Sequence, residues 1–272
     1  MPESHTLKTP DGTLYYEVRG SGPVLVLTGA PMAAAEFAAV ADILAADRTV
    51  VTHDPRGIGR SPLDDPGQDS TPELRADDLV ALLDELGVEK ADVLGSSGGA
   101  VTTLAAAARH PGRFGTVVAH EPPVLELLPD AAEQRAAVDA IVETYHRDGV
   151  MAAFGAFMAN AGFQMPEEGE EGPGPGGPEQ EFSEQDLADS ARFFTHELGP
   201  TTRYVPEVDA LRAGPVRVVV GIGVESGALL TDRTSRELAK RLGVEPVVFP
   251  GEHGGFVDDP EGFAGLLLRT LG

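Results

Sequence analysis

Short apolar runs rich in β-branched residues recur along the chain, and between them lie segments with apolar residues at three- and four-residue spacing. The first pattern predicts buried strands, and the second predicts helices that pack on a sheet. Because parallel neighbouring strands need a crossover connection, the alternation predicts an α/β fold with a mostly parallel, twisted sheet and helices on both faces. The predicted strands are 13–20, 24–29, 49–54, 90–96, 113–122, 216–223 and 245–251, and the predicted helices are 33–46, 71–87, the alanine-rich segment after Gly99, 231–243 and 259–271.

The alternation stops in the middle of the chain, where a segment with apolar residues at helical spacing replaces the predicted strands. Within that segment, residues 166–180 are a run dominated by Pro, Gly and Glu, with too few apolar side chains to fold alone. The sequence therefore predicts one α/β core formed by residues 1–122 and 214–272. It also predicts an inserted helical cap at residues 123–213, which contains the Gly/Pro/Glu-rich run as a flexible loop.

The net charge of the chain bears on which nucleic acids or membranes it could bind. Its 20 Lys and Arg stand against 44 Asp and Glu, a formal net charge of −24 at pH 7. Such a charge repels phosphate backbones and anionic lipid surfaces, which argues against nucleic acid and membranes as partners. The sequence opens without a basic and apolar leader and has no run of about 18 apolar residues, so we expect a cytoplasmic protein. The oligomeric state stays open.

A cluster of small residues lies between a predicted strand and a predicted helix. Gly95 and Gly99 flank Ser97 at the spacing Gly-x-Ser-x-Gly, which permits a tight turn that presents the serine hydroxyl beyond the sheet. Ser97 is therefore the candidate nucleophile, and a purely structural turn is the alternative. Ser96 has the wrong offset from both glycines. Because a serine hydroxyl is a poor nucleophile near neutral pH, a base must accompany it.

Four motifs at predicted strand ends together resemble the α/β-hydrolase fold family, in the form of a serine esterase with a helical cap. The resemblance covers nearly the whole chain apart from the cap. Its motifs are specific for the fold but indicate little about the substrate. They are LTGAP at 27–31, HDPRGIGRS at 53–61, GSSGG at 95–99 and GEHGGF at 251–256.

The resemblance implies roles for residues on three loops. His253, on the loop after the last strand, takes the place of the general base. The backbone N–H groups of Gly98, directly after the nucleophile, and of Ala30 take the place of an oxyanion hole, in which fixed donors hold a developing negative charge. His53 and His120 flank strand ends and are further candidates for the lining of the site.

The sequence leaves the acidic partner of the histidine open. In the family the acid usually follows the strand at 216–223, but alignment on Gly223 places Ser226 there, and a serine cannot hold an imidazolium as a carboxylate can. Glu225 is one alternative, and the absence of an acid is another. Glu121 is the favoured candidate, since some members that resemble haloalkane dehalogenases carry their acid after the strand that follows the nucleophile's strand.

No cofactor and no metal are expected, because histidines and carboxylates do not cluster in sequence as metal ligands do and no complete glycine-rich phosphate loop is present. Arg56 is expected to pair with a carboxylate and to brace the floor of the site. The insertion also carries an apolar set that either packs within the cap or lines a substrate cavity. These residues are Met151, Phe154, Phe157, Met158, Phe163 and Met165.

Together these residues predict an enzyme, a serine hydrolase that acts through an acyl-enzyme on a carboxylic ester or related carbonyl compound with an apolar group. Two alternatives keep the same fold. One is a cofactor-free C–C hydrolase, peroxidase or cyclase of secondary metabolism, and the other is a non-catalytic ligand-binding protein. In each case the partner is a small molecule.

Overall fold

One eight-stranded sheet forms the centre of the fold in the computed structural model, which describes residues 2–163 and 183–272. The strands are β1 (Glu3–Thr9), β2 (Gly12–Arg19), β3 (Val24–Thr28), β4 (Thr49–His53), β5 (Ala91–Ser96), β6 (Phe114–His120), β7 (Arg217–Gly223) and β8 (Val247–Phe249). Their order across the sheet is β1-β2-β4-β3-β5-β6-β7-β8.

The pairing of the strands confirms the predicted mostly parallel sheet. Every pair from β4 across to β8 is parallel, whereas β2 pairs antiparallel with both β1 and β4. The apolar pattern does not anticipate β1, because this edge strand is largely exposed and has no apolar run. A tight connection from Thr9 to Gly12 folds it back on β2.

Helices cover both faces of the sheet, as the alternation predicts. They are α1 (Ala38–Leu44), α2 (Pro72–Glu85), α3 (Gly98–Arg109), α4 (Ala131–Asp148), α5 (Val150–Ala161), α6 (Glu184–Arg192), α7 (Leu198–Thr202), α8 (Val208–Ala213), α9 (Leu230–Leu242), α10 (Gly255–Asp258) and α11 (Pro260–Leu271). Between α6 and α7 the chain forms a π-helical turn, Phe193–Glu197.

The two faces of the sheet bury separate apolar clusters. In β5, Val93 belongs to the cluster under α2 and α3, whereas the next residue, Leu94, belongs to the cluster under α1 and α11. This alternation follows from the period of two in a strand, where successive side chains point to opposite faces. Because both faces are covered, the strands read as continuous apolar runs.

Helices α4 to α8 lie in the chain between β6 and β7. Helices α4 and α5 pack against each other and, with the π-helical turn, enclose a third apolar cluster that includes Ile141 and Phe194. The flexible loop predicted at 166–180 lies outside the described residues. The division into core and cap at residues 122 and 214 stays a prediction.

The glycines around Ser97 allow β5, α3 and the end of β3 to approach at backbone distance. A Cβ on Gly95 would lie 2.3 Å from the carbonyl oxygen of Gly99, and a Cβ on Gly99 would lie 2.2 Å from the carbonyl oxygen of Thr28. Both distances are far below van der Waals contact, and the obstructing atoms belong to the backbone. These two positions therefore require glycine on steric grounds.

We expect Gly99→Ala to destabilise the fold, although alanine is the better helix former by about 1 kcal/mol. The clash with the backbone of β3 outweighs that gain and lowers the free energy of unfolding by roughly 3 kcal/mol, the upper range for overpacking a core. Urea denaturation measures the change. The control is Gly112→Ala, where a new Cβ would meet no atom within 4 Å. Equal stability of the two variants would contradict this explanation.

Candidate active site

Ser97 follows β5 directly and occupies a strained turn. Its backbone angles are φ 56° and ψ −124°, a region that residues with a side chain seldom adopt. The N–H of Ser97 donates to the carbonyl of His120 at 2.9 Å, which ties the turn to the end of β6. The side chain is half-buried, and its hydroxyl makes no hydrogen bond to another described residue.

Glu121 follows β6 directly and is the second strained residue. Within the described part of the chain, it and Ser97 are the only non-glycine residues with a positive φ, here 52°. The Glu121 side chain is fully buried. It accepts hydrogen bonds from the backbone N–H of Gly223 at 2.8 Å, from the Thr231 hydroxyl at 2.9 Å and from Nδ1 of His253 at 2.5 Å.

These hydrogen bonds keep the buried carboxylate ionised. Burial alone would raise the pKa of Glu121, but the hydrogen bond and positive charge of His253 outweigh it, and the pKa falls to about 2. A carboxylate in this state can only accept hydrogen bonds, so Nδ1 of His253 must be the donor. When the ring is neutral, its other nitrogen, Nε2, then carries no proton and is available as a base.

His253 lies on the loop between β8 and α10, and its side chain is 19% exposed. The ring stacks at 6.4 Å between centroids on the buried ring of His120 and meets the edge of Phe163 at 5.9 Å. These two ring contacts, together with the bond to Glu121, therefore fix the plane of the ring.

Ser97 and His253 line the same cavity, which has a volume of about 370 Å³. No hydrogen bond joins their side chains among the residues that the structure describes. Catalytic hydrogen bonds are often long before substrate binds and tighten in the complex. The cavity has the size of a small-molecule site and is lined mainly by apolar side chains. Its apolar lining includes Met32, Leu125, Val138, Ile141, Phe154, Phe157, Met158, Phe163, Phe193, Leu198 and Leu230.

Ala30 and Gly98 stand side by side at the wall of this cavity. A Cβ on Gly98 would lie 2.5 Å from the carbonyl oxygen of Ala30. Within the described residues, neither backbone N–H donates a hydrogen bond outside regular secondary structure. Gly98 also begins α3, whose first amides have no acceptor within the helix and carry partial positive charge. Their role as an oxyanion hole stays a prediction.

The loop after β7 carries the other two residues considered for the acid. Glu225 is exposed, and its side chain makes no hydrogen bond to His253 in the part of the chain that the structure describes. Ser226 is buried, with its hydroxyl 2.6 Å from the position of a Cβ on Gly223. Because Gly223 also binds Glu121, a carboxylate at position 226 would lie near that of Glu121 and be repelled by it. A neutral serine avoids this conflict.

His53 and His120, the two further candidates for the lining of the site, do not belong to the lining of the cavity. Both rings are buried, and desolvation lowers the pKa of each to about 4, so they stay neutral at pH 7. His53 shares a hydrogen bond with the Thr28 hydroxyl at 2.9 Å. His120 packs edge-on against Phe249 and Phe263, beneath His253.

The loop after β4 braces the site rather than lining it. Arg56 binds both carboxylate oxygens of Asp78, at 2.7 and 2.8 Å, which confirms the expected pairing with a carboxylate. Asp54 accepts from the backbone N–H of Ala34 at 3.0 Å and from Arg60, so this loop is tied to the loop that carries Ala30. Burial would raise the pKa of Asp54, but the hydrogen bonds from Arg60 and Ala34 hold it below its ordinary value.

The apolar set of the insertion divides between surface and cavity. Phe154, Phe157, Met158 and Phe163 line the cavity, whereas Met151 is 59% exposed. Met165 lies outside the described residues. Another lining residue, Glu197, could not be identified from the sequence, because the π-helical turn breaks the periodicity from which its orientation follows.

The described residues hold no group of three or more histidines and carboxylates arranged as a metal site. None of the helices in residues 2–163 and 183–272 combines the length and the apolar composition that crossing a bilayer requires. The cytoplasmic location stays a prediction.

Comparisons with known proteins agree with this architecture. The family described as "alpha/beta hydrolase fold" matches residues 22–164. A relative named uncharacterized hydrolase YraK, from Bacillus subtilis (strain 168), is 31% identical over 257 residues, which are 92% of this chain and 89% of the relative. Zearalenone hydrolase from Bionectria ochroleuca is 26% identical over 281 residues, 99% and 98% of the two chains.

Solved structures share the fold across the whole chain. A thermophilic esterase from Thermogutta terrifontis has a TM-score of 0.74 and 21% identity, and the match covers 100% of this chain and 99% of the esterase. The family match over residues 22–164 and the similarity to YraK support the same family assignment from sequence. The chain belongs to the α/β-hydrolase fold family and is a hydrolase.

Proposed function

We propose that the protein hydrolyses a carboxylic ester, or a related carbonyl compound with an apolar group, through an acyl-enzyme on Ser97. One observation carries the proposal: Ser97 and His253 line a single cavity, and Nδ1 of His253 is bound by the buried carboxylate of Glu121. A nucleophile, a base and an acid that orients the base are the three parts that serine hydrolysis needs.

In the first step, Nε2 of His253 accepts the proton of the Ser97 hydroxyl while the serine oxygen attacks the carbonyl carbon. The ring becomes an imidazolium, and the carboxylate of Glu121 stabilises this charge without taking up the proton. Because Glu121 is already ionised and held by three hydrogen bonds, it needs no reorganisation as the charge develops.

The carbonyl oxygen gains negative charge as the tetrahedral intermediate forms. The N–H groups of Ala30 and Gly98 donate to this oxygen, and the N-terminal end of α3 adds favourable potential. His253 then returns its proton to the alcohol oxygen, and the C–O bond breaks to leave an acyl group on Ser97. Water, deprotonated by the same ring, releases the acid and restores the serine.

The cavity supports a small, mainly apolar substrate. Its volume of about 370 Å³ fits a small molecule, and its aromatic and aliphatic lining favours burial of an acyl chain or ring. The names of two similar proteins, a zearalenone hydrolase and a thermophilic esterase, are compatible with carbonyl compounds as the substrate class.

The nucleophile is tested by Ser97→Ala. We expect hydrolysis of p-nitrophenyl hexanoate to fall by at least about 1,000-fold, because the oxyanion donors and the cavity alone retain little of the catalysis. A fluorophosphonate should label the wild-type protein at one serine, identified as Ser97 by mass spectrometry. Ser96→Ala, at a buried neighbour, should still be labelled. Labelling of Ser97→Ala at full stoichiometry would contradict the assignment.

The acid is tested by Glu121→Gln, for which we expect kcat to fall by about 10⁴-fold. The glutamine NH₂ group can donate to Nδ1, which moves the ring proton to Nε2 and removes the base. Glu225→Gln is the matched control, since that side chain is exposed, and it should keep kcat within about twofold. Loss of activity in the control with an active Glu121→Gln variant would reverse the assignment.

A relocated acid should restore part of the lost activity. Ser226 is buried beside Gly223, the residue that binds Glu121, so a carboxylate at position 226 can take over the orientation of His253. We expect kcat of Glu121→Gln/Ser226→Asp to exceed that of Glu121→Gln by at least about tenfold. In the wild-type background, Ser226→Asp should instead lower stability, because two carboxylates then compete. A folded double variant no faster than Glu121→Gln would refute the relocation.

A further inference from the structure

Glu197 has an unusual position in the wall of the cavity. The residue lines the cavity and is only 1% exposed. Neither oxygen of its carboxyl group has a hydrogen-bond partner among the described residues. Burying a carboxyl group without hydrogen-bond partners is unfavourable, because the group loses its hydration and gains nothing in return. The proposed mechanism does not use this group, so its presence in the cavity wall needs another explanation.

Glu197 lies about one helical turn before Thr201, which packs beside Gly98. It ends the π-helical turn that precedes α7, and irregular turns of this kind are frequent at functional sites. Thr201, four residues on, brings its methyl group to 3.3 Å from the position of a Cβ on Gly98. A turn rises about 5.4 Å, so Glu197 and Thr201 follow each other along the cavity wall that a substrate with its carbonyl group at Gly98 would contact.

Two buried arginines lie near Glu197 without binding it. Arg75 donates to the Thr102 and Thr201 hydroxyls and to the carbonyl of Ser70, and Arg192 donates to backbone carbonyls and the Ser70 hydroxyl. Burial raises the pKa of the Glu197 carboxyl, and the positive charges of both arginines oppose that rise. The same charges disfavour an ammonium group as a ligand. A ligand group that donates a hydrogen bond to the unpartnered carboxyl group and carries no positive charge is therefore favoured.

We propose that Glu197 is a specificity-determining residue that accepts a hydrogen bond from an uncharged hydroxyl on an otherwise apolar acyl or alcohol group of the substrate. The inference rests on the proposed ester hydrolysis at Ser97. It names the substrate class more closely, as hydroxylated apolar esters. A site built for a hydroxyl discriminates strongly against the analogue that lacks it, because the buried polar group is then left unpaired.

The experiment compares matched esters in one protein at a time. The p-nitrophenyl ester of hexanoic acid is compared with those of 2-, 3- and 6-hydroxyhexanoic acid and of 6-aminohexanoic acid. The readout is the ratio of kcat/KM for each substituted ester to that for the plain ester, in the wild-type protein, in Glu197→Met and in the conservative variant Glu197→Gln. A ratio within one protein cancels any general loss of activity or of folded fraction.

We expect at least one hydroxylated ester to have a ratio at least about tenfold higher in the wild type than in Glu197→Met, a factor equal to about 1.4 kcal/mol. Glu197→Gln keeps an acceptor oxygen and should retain part of the preference. If Glu197→Met does not fold, the wild-type protein alone decides: 1,6-hexanediol should inhibit it at lower concentration than hexan-1-ol.

Three results would overturn the inference. These are equal ratios in the wild type and Glu197→Met, equal inhibition by the two alcohols where Glu197→Met does not fold, and a preference for the ammonium ester over every hydroxylated one. Each of them leaves the proposed function standing, because the plain ester is still hydrolysed. If the wild-type protein turns over no ester and takes no fluorophosphonate label, the proposed function itself has failed.

Discussion

The hydrogen bond between Nδ1 of His253 and the carboxylate of Glu121 is the interaction on which the site depends. It joins the loop after β8 to the end of β6, and Ser97 stands at the end of the neighbouring β5. The bond determines which ring nitrogen carries the proton, and it holds a counter-charge ready for the imidazolium that the proposed reaction forms. Without it, the contacts with His120 and Phe163 would still restrict the plane of the ring, but its tautomer would not be fixed.

Backbone strain supports this arrangement. Ser97 and Glu121 leave adjacent parallel strands in left-handed conformations that cost of order 1–3 kcal/mol each, and hydrogen bonds to the next strand in the sheet hold each of them. The N–H of Ser97 bonds to β6, and the N–H of Glu121 bonds to Gly221 in β7. The sheet thus carries the strain of both turns. The sheet also brings the carboxyl ends of β5, β6 and β7 to one edge, where ligands of parallel sheets bind.

Much of the fold and the turn at Ser97 could be predicted from the sequence, because the patterns that indicate them involve residues close together in the chain. The alternation of strands and helices needs only the period of apolar residues, and the glycines at 95 and 99 mark a turn that few other sequences permit. The choice between Glu121 and Glu225 could not be made in this way. It depends on which carboxylate the fold buries beside His253, and burial is a property of the packed loops. Glu197 gave no signal for a similar reason, since a π-helical turn redirects its side chain.

The central claim is that Glu121 holds the Nδ1 proton of His253, and proton NMR of the protein with ¹⁵N-labelled histidine tests it most directly. A proton shared between an imidazole and a buried carboxylate resonates far downfield of other ring N–H groups. We predict one such signal, assigned to Nδ1 of His253, in the wild-type protein and in Glu225→Gln, and its loss in Glu121→Gln. A signal that persists in Glu121→Gln and disappears in Glu225→Gln would contradict the account.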